Sequence, residues 1–307
     1  MSTVGFWREI KQDARDISIQ SNRLGKIGRP WFIFPDGNGP RGSFANFTDL
    51  APNLRSRDII ILGGVLREQA VAPLDVYDVT IIGAANTPRQ STSGGVPTGG
   101  GATWMAPASG AVAATPLLEL RAQGWSVENI SFTPHTSSAA IRLTRSATVD
   151  TIDAGHARFS GCLFAAQGGS GQIGVEDNGG CGFITIEECR FQSLTGTAIK
   201  GLNTAAAVSR DWRITRNRFN GNTNAIGVSL TESLIDYNVI RQTANDTNFK
   251  VNLVAVAGQG SLNQVLRNLF PDVAANVTIA KGYKPGTTDV WRNWVTDTAD
   301  DIVTVPA

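Results

Sequence analysis

A six-residue motif recurs through the second half of the chain: an apolar residue, two variable residues, Asn or Cys, one variable residue and an apolar residue. The copies are FSGCLF (159–164), IEECRF (186–191), ITRNRF (214–219), IDYNVI (235–240), VLRNLF (265–270) and VWRNWV (290–295), and VENISF (127–132), with Asn129, is an earlier, slightly shifted copy. The Asn or Cys positions are Cys162, Cys189, Asn217, Asn238, Asn268 and Asn293, spaced by 27, 28, 21, 30 and 25 residues. Short apolar segments at such a period indicate a solenoid.

A second pattern advances in step with the first. Alternating apolar runs follow the motif copies, and their central residues are Ile141, Ile173, Ile199, Ile226, Leu253, Ile279 and Ile302, spaced by 32, 26, 27, 27, 26 and 23 residues. Alternation with period two is typical of strands that have one buried face. We therefore expect each repeat to form one coil of strands, pairing in parallel with the next coil at a rise of about 4.8 Å.

Like residues should then stack inside the coils. One predicted inward column is Phe164, Phe191, Phe219, Ile240, Phe270 and Val295, and the Ile141 to Ile302 series forms another. The Asn positions are predicted to turn inward at a bend, where each amide bonds the backbone of a neighbouring coil, because buried amides need partners. The alternative is an ordinary turn residue. Replacement by Cys at two positions favours the inward arrangement, since Cys is a small residue that is often buried.

Composition excludes several classes of protein. The 307 residues, 41% of them apolar, can bury a large core in one structural domain. A net charge of +1 with 17% charged residues is unlike a nucleic-acid binder. Three Cys and two His are too few for a structural zinc site, and the odd Cys count argues against a disulfide framework. We expect no metal and no cofactor. No signal peptide or membrane span is visible.

Residues 1–29 differ from the rest and are predicted to be an N-terminal helical docking segment. Phe6, Trp7, Ile10 and Ile17 lie on or beside one helical face, and charged residues surround the remainder. That face either packs on the end of the solenoid or docks into a larger assembly. Residues 30–307 are predicted to form the solenoid domain.

Two segments of that domain stand apart. In SFANFTDLAPNL, a helix opened by Ser43 should cover the end of the core with Phe44, Phe47, Leu50 and Leu54, because an uncapped solenoid exposes strand edges. Residues 83–116 are rich in Gly, Ser, Thr and Pro and are predicted to be a long loop. Trp104 and Met105 lie within it, either packed on the solenoid or a neighbouring chain or exposed for binding.

The order of strand, PDGNG turn, capping helix, RDIIILGGVLREQ, VTIIGA and GWSVENISF resembles the N-terminal coils of the pectin-lyase-like superfamily. It is especially similar to the short β-helices of bacteriophage tailspikes and other virion appendages. The resemblance spans residues 30–305. It implies an all-β fold: a right-handed, single-stranded parallel β-helix, here with a short N-terminal α-helical segment. It leaves function open, because such helices serve as lyases, hydrolases, esterases and inert fibres.

Candidate catalytic carboxylates are few. Glu187 and Asp236 share an outward position two coils apart, hence about 9–10 Å by the rise above, a separation that suits an inverting glycosidase. Other pairs are Glu188 with Asp236, Glu176 with Asp177, and Asp150 with Asp153. The alternative for every pair is a solvated surface carboxylate. His135 and His156 follow turn residues and are predicted to be surface loop residues, with catalytic bases as the alternative.

Binding residues are better represented. The candidates on outward positions of the first pattern are Arg216, Arg218, Tyr237, Arg267, Trp291 and Trp294. Arginine beside aromatic rings on a flat sheet suits sugar rings or a protein interface. The alternative is that a side loop covers these rings.

Two function classes follow from the resemblance. The first is a bacteriophage virion structural protein, a tail-fibre or tailspike-like appendage used for assembly or host-surface recognition, without catalysis. It would be made in the host cytoplasm and located in the virion. Its expected partners are two sister chains in a homotrimer, other virion proteins through the N-terminal helix and a host-surface glycan, with no nucleic acid or membrane. The second class is a polysaccharide hydrolase or lyase of the same fold.

Overall fold

The computed structural model describes residues 28–84, 101–146, 148–149, 152–166, 168–201, 208–241, 251–253, 262–270, 290–295 and 302–303. Within these ranges the chain has one short helix, α1 (Phe47–Leu50), continued by a 3-10 turn, Ala51–Asn53. All other regular structure among the described residues is strand. The docking residues predicted in the N-terminal segment (Phe6, Trp7, Ile10 and Ile17) lie outside the described residues.

The strands are short and follow one another closely. In chain order they are β1 (Pro30–Ile33), β2 (Ile59–Leu62), β3 (Val65–Arg67), β4 (Ala70–Val71), β5 (Thr80–Gly83), β6 (Thr103–Met105), β7 (Leu118–Leu120), β8 (Ser126–Glu128), β9 (Ser131–Thr133), β10 (Ala139–Thr144), β11 (Arg158–Ser160), β12 (Leu163–Ala165), β13 (Ile173–Asn178) and β14 (Thr185–Glu187). They continue as β15 (Arg190–Gln192), β16 (Thr197–Lys200), β17 (Ser209–Arg210), β18 (Arg213–Thr215), β19 (Arg218–Asn220), β20 (Asn224–Val228), β21 (Leu230–Thr231), β22 (Leu234–Asp236), β23 (Val239–Arg241), β24 (Val251–Leu253), β25 (Gln264–Phe270), β26 (Val290–Val295) and β27 (Ile302–Val303).

These strands pair in parallel in three stacks. The first stack runs β1, β2, β5, β8, β11, β14, β18, β22, β25 and β26; the second runs β3, β6, β9, β12, β15, β19, β23, β25 and β26; the third runs β4, β7, β10, β13, β16, β20 and β24. From β2 to β24 the chain visits the first, second and third stacks in that order, with β17 and β21 forming a small extra pair. The prediction of an all-β fold with mostly parallel strands is confirmed.

The aromatic column lies in the second stack and is fully buried. Phe164, Phe191 and Phe219 occupy one register position, and their ring centroids are 4.8 Å apart with interplanar angles of 8° and 6°. Phe132 and Trp104 extend the stack in the other direction, with centroid distances of 5.3 Å and 6.1 Å. Like residues therefore lie over one another at the spacing of the strands, as the motif predicts.

The asparagine ladder is also confirmed. Asn217, Asn238 and Asn268 are fully buried between the first and second stacks. Each Oδ1 accepts the backbone N–H of the preceding repeat at 2.9 Å, from Cys189, Asn217 and Asn238 respectively. Each Nδ2 donates to a backbone carbonyl at 2.8–2.9 Å. The side-chain amides thus satisfy backbone groups that the bend removes from strand pairing.

The residue before each ladder position has a left-handed backbone. The φ angles are 56° at Asn129, 63° at Gly161, 55° at Glu188, 56° at Arg216, 54° at Tyr237 and 54° at Arg267. This conformation turns the chain from the first stack into the second, and it takes these side chains out of the strand alternation. Asn129, which the motif aligned with the ladder, lies instead at this turning position, and Ile130 is buried in its place.

The third stack corrects the second predicted column. Ile141 pairs with Val175 rather than Ile173, and Ile226 pairs with Val251 rather than Leu253. Ile279 lies outside the described residues. Ile302 leaves the column altogether, because β27 pairs antiparallel with β26 through Trp294. Only six residues separate those two strands, whereas a parallel return needs a crossover of about a dozen.

The end of the core is covered as predicted, with two local differences. Phe47 and Leu50 of α1 are fully buried, and the Phe47 ring lies 5.6 Å from Trp104. The N-cap of this helix is Asn46 rather than Ser43, since Asn46 accepts the N–H of Asp49. Trp104 belongs to strand β6, so the segment 83–116 is not loop throughout.

Candidate binding face

The carboxylate Glu187 ends strand β14 and lies within a network of arginines. It accepts hydrogen bonds from Arg158 Nε at 2.8 Å and from Arg216 Nη2 at 2.9 Å. Arg216 also pairs with Glu188 at 3.1 Å. The hydrogen bond to Glu187 raises the pKa of Arg158. Glu187, only 14% exposed, therefore serves as a shared acceptor for two guanidinium groups.

The second candidate carboxylate, Asp236, is held even more closely. Arg267 Nε donates to its Oδ1 at 3.0 Å and Nη2 to its Oδ2 at 2.5 Å, a two-point contact that fits the planar guanidinium. This contact raises the pKa of Arg267. Arg267 also lies over the Tyr237 ring, 4.2 Å from its centroid, and donates to the Tyr237 hydroxyl at 2.9 Å. Asp236, Arg267 and Tyr237 thus form one closed polar cluster.

Glu187 and Asp236 lie at the same register position, separated by Thr215 on the intervening strand. Their register matches the predicted separation of two coils, but each carboxylate already has arginine partners. In the part of the chain that the structure describes, no group of three or more His, Cys, Asp or Glu side chains could hold a metal ion. Of the other candidate pairs, Glu176 bonds Arg142 and Lys200.

Asp177 is a buried carboxyl, 1% exposed, near the end of strand β13 in the third stack. Its Oδ1 accepts from the N–H groups of Gly180 and Cys181 at 3.2 and 3.1 Å, and its Oδ2 accepts from Ser209 Oγ. Burial raises the pKa of Asp177, while the Ser209 hydrogen bond lowers it. These contacts tie two chain segments together inside the molecule and give the group no access to a substrate.

Three other arginines are left with their charge exposed on the second stack. Arg190 and Arg218 pair in register on β15 and β19, and Arg241 ends β23. All three are exposed, and they line one depression of about 370 Å³ together with Gln192, Asn220 and Val239. Among the described residues no acidic side chain forms a salt bridge with them. We call Arg190, Arg218 and Arg241 the arginine face.

The predicted binding residues divide between these two surfaces. Arg218 belongs to the arginine face, whereas Arg216, Tyr237 and Arg267 lie at the left-handed bend, where the two arginines have acidic partners. By backbone register Trp294 pairs with Leu269 and Trp291 with the buried Val265. The side chains of Trp291 and Trp294 lie outside the described part of the structure, so the outward column of Tyr237, Trp291 and Trp294 stays a prediction.

Arg241 was absent from the predicted set. It occupies the position after the second apolar residue of the motif, the place of Gln192 and Asn220 in the preceding repeats. Reading that position as a third outward column would have revealed it, since residues on either side of an inward residue point outward in a strand.

No protein-family model, curated protein or solved structure matches the chain. Within the described ranges no helix has the length and apolar character needed to cross a bilayer.

Proposed function

We propose that the chain forms a right-handed parallel β-helix of three sheets. Three features support this: the fixed order in which the chain visits the three stacks, the parallel register of each stack, and the continuous aromatic column inside. Each repeat contacts its neighbours alone in such an architecture, which leaves the outer faces free for recognition.

We further propose that this β-helix is a non-catalytic component of a bacteriophage particle that recognises an acidic host-surface glycan through the arginine face. The supporting observation is the presence of Arg190, Arg218 and Arg241 around one depression, with no acidic partner among the residues that the structure describes. Guanidinium groups bind carboxylates and sulfates in two-point geometry. The carboxylates that a glycosidase would need, Glu187 and Asp236, are engaged with arginines, which favours binding over hydrolysis.

The proposal includes a role for the N-terminal segment in assembly of the particle. The predicted apolar face of the N-terminal segment would dock the chain into the particle, either directly on other virion proteins or within a homotrimer of this chain. An extended anionic polymer would then meet several arginine faces at once, which raises avidity without new contacts.

Removing the arginine face should weaken glycan binding. For Arg190→Gln/Arg218→Gln/Arg241→Gln we expect a loss of affinity for polygalacturonate of about 3- to 150-fold, because three exposed charge contacts contribute about 0.2–1 kcal/mol each. Affinity electrophoresis and calorimetry in the full chain measure this loss. Wild-type binding should also weaken as salt concentration rises.

The matched control removes the same charge elsewhere. Arg41, Arg210 and Arg213 are exposed and lie outside the arginine face, so their triple replacement by Gln should retain wild-type affinity. Neutral dextran should not bind, and no new reducing ends should appear in polygalacturonate. Equal losses in both triple variants, or equal binding to a DNA oligomer, would contradict glycan recognition. Product formation that disappears in Glu187→Gln or Asp236→Asn would establish the hydrolase alternative.

A further inference from the structure

A second pocket lies at the same edge of the second stack, in earlier repeats. Its volume is about 390 Å³, within the range typical of small-molecule sites. The last residues of β3, β6 and β9, namely Arg67, Met105 and Thr133, share a register position and line the pocket. His135 and Gln172 line it as well. None of these residues belongs to the arginine face.

Two side chains that line this pocket each have a buried polar atom without a hydrogen-bond partner among the described residues: His135 Nδ1 and Gln172 Oε1. Gln172 is 1% exposed, and its Nε2 donates to the Pro134 carbonyl at 2.7 Å. That bond fixes the orientation of the amide, so Oε1 is the atom left to accept. A buried acceptor without a donor costs about 1–3 kcal/mol, which a structural role alone does not explain.

Asn222 provides an internal comparison. Gln172 and Asn222 each follow a left-handed glycine between the second and third stacks, Gly171 and Gly221. Asn222 Nδ2 also donates to a backbone carbonyl, that of Phe191, but its Oδ1 accepts the Leu194 N–H at 3.0 Å. Both Nδ2 and Oδ1 of Asn222 therefore have hydrogen-bond partners in the fold, whereas Gln172 Oε1 accepts no hydrogen bond from the described residues.

We propose that this pocket binds a small hydroxylated carboxylic acid, the chemistry of a single uronic-acid sugar. A ligand hydroxyl donates to Gln172 Oε1 and a second hydroxyl bonds His135 Nδ1, because both atoms need a partner. The carboxylate pairs with Arg67, which is exposed and forms no salt bridge within the described part of the chain. Met105 supplies an apolar wall for the carbon skeleton.

The two histidines of the chain make the test direct. In ¹⁵N-histidine-labelled full-length protein, galacturonate should shift the ring nitrogen signals of His135 and leave those of His156 unchanged, since the His156 ring stacks on Phe183 at 4.6 Å and does not line the pocket. Galactose should bind at least roughly tenfold more weakly, because it lacks the charge that pairs with Arg67. Acetate should produce no shift, because it lacks the hydroxyls.

Variants separate this site from the arginine face. Arg67→Met should weaken galacturonate binding roughly tenfold or more, and Gln172→Met should weaken both sugars, with thermal melting used to check that each variant folds. The arginine-face triple variant should keep the His135 response. No His135 shift with galacturonate, an equal shift at His156, or unchanged binding in Arg67→Met would overturn the proposal, and the pocket would then hold only water.

Discussion

Replacing Asn238 by leucine should lower the free energy of unfolding by about 2–6 kcal/mol. Leucine removes the acceptor of the Asn217 N–H and the donor to the Ile214 carbonyl. Both backbone groups are buried, and each unpartnered group costs about 1–3 kcal/mol. Leucine also removes the contacts of Asn238 with the side chains of Asn217 and Asn268. Asn217 Nδ2 keeps its bond to the Ile186 carbonyl and Asn268 Oδ1 keeps the Asn238 N–H, so both neighbouring rungs retain one partner for each of these atoms. Urea denaturation of the two proteins measures the difference.

Two further substitutions serve as comparisons for the stability loss of Asn238→Leu. Asn238→Cys should cost less than Asn238→Leu, because Cys189 already occupies a rung and its thiol donates to the Phe159 and Glu187 carbonyls at 3.5 and 3.3 Å. Asn220→Leu, at an exposed position of β19, should change stability by no more than about 0.5 kcal/mol. If Asn238→Leu were as stable as the wild type, the ladder would contribute nothing to the fold.

Sequence periodicity was sufficient to predict the phenylalanine and asparagine columns. Phe191 and Phe219 recur with the Asn positions at fixed offsets, and in a parallel stack equal offsets mean equal register. The third stack was harder, because Ile173 and Val175 are both apolar and two residues apart. A shift of two residues keeps every side chain on the same face, so the pattern cannot choose between them. Only the backbone pairing of the strands distinguishes the two residues, and in the structure Ile141 pairs with Val175.

The candidate site was only partly predictable, for a different physical reason. Alternation tells inward from outward, but the left-handed residue at the bend belongs to neither class. Arg216 and Arg218 both read as outward arginines. The bend places Arg216 beside Glu187 and Glu188, one repeat away, while Arg218 remains in the strand with its charge exposed. Such pairing depends on contacts between repeats, which a single motif copy does not contain.

The second large effect is expected at the centre of the aromatic column. Phe191→Ala should lower the free energy of unfolding by about 3–5 kcal/mol, the range for a buried phenylalanine. Its ring lies 4.8 Å from both Phe164 and Phe219. A Cβ on Gly174 would come within 2.8 Å of the Phe191 ring, so the third stack already contacts the ring closely. Hydrogen-bonded strands hold these neighbours in place, and the cavity cannot collapse.

Phe183→Ala is the matched control, since it removes the same side chain from the surface. Phe183 is 50% exposed and stacks only on His156 within the described residues, so we expect a loss of about 1 kcal/mol or less. Urea denaturation and thermal melting of both variants give the comparison. The aromatic column predicts a much larger loss for Phe191→Ala than for Phe183→Ala. Equal losses would mean that the two rings have similar environments, which is incompatible with parallel strands stacked over a shared interior.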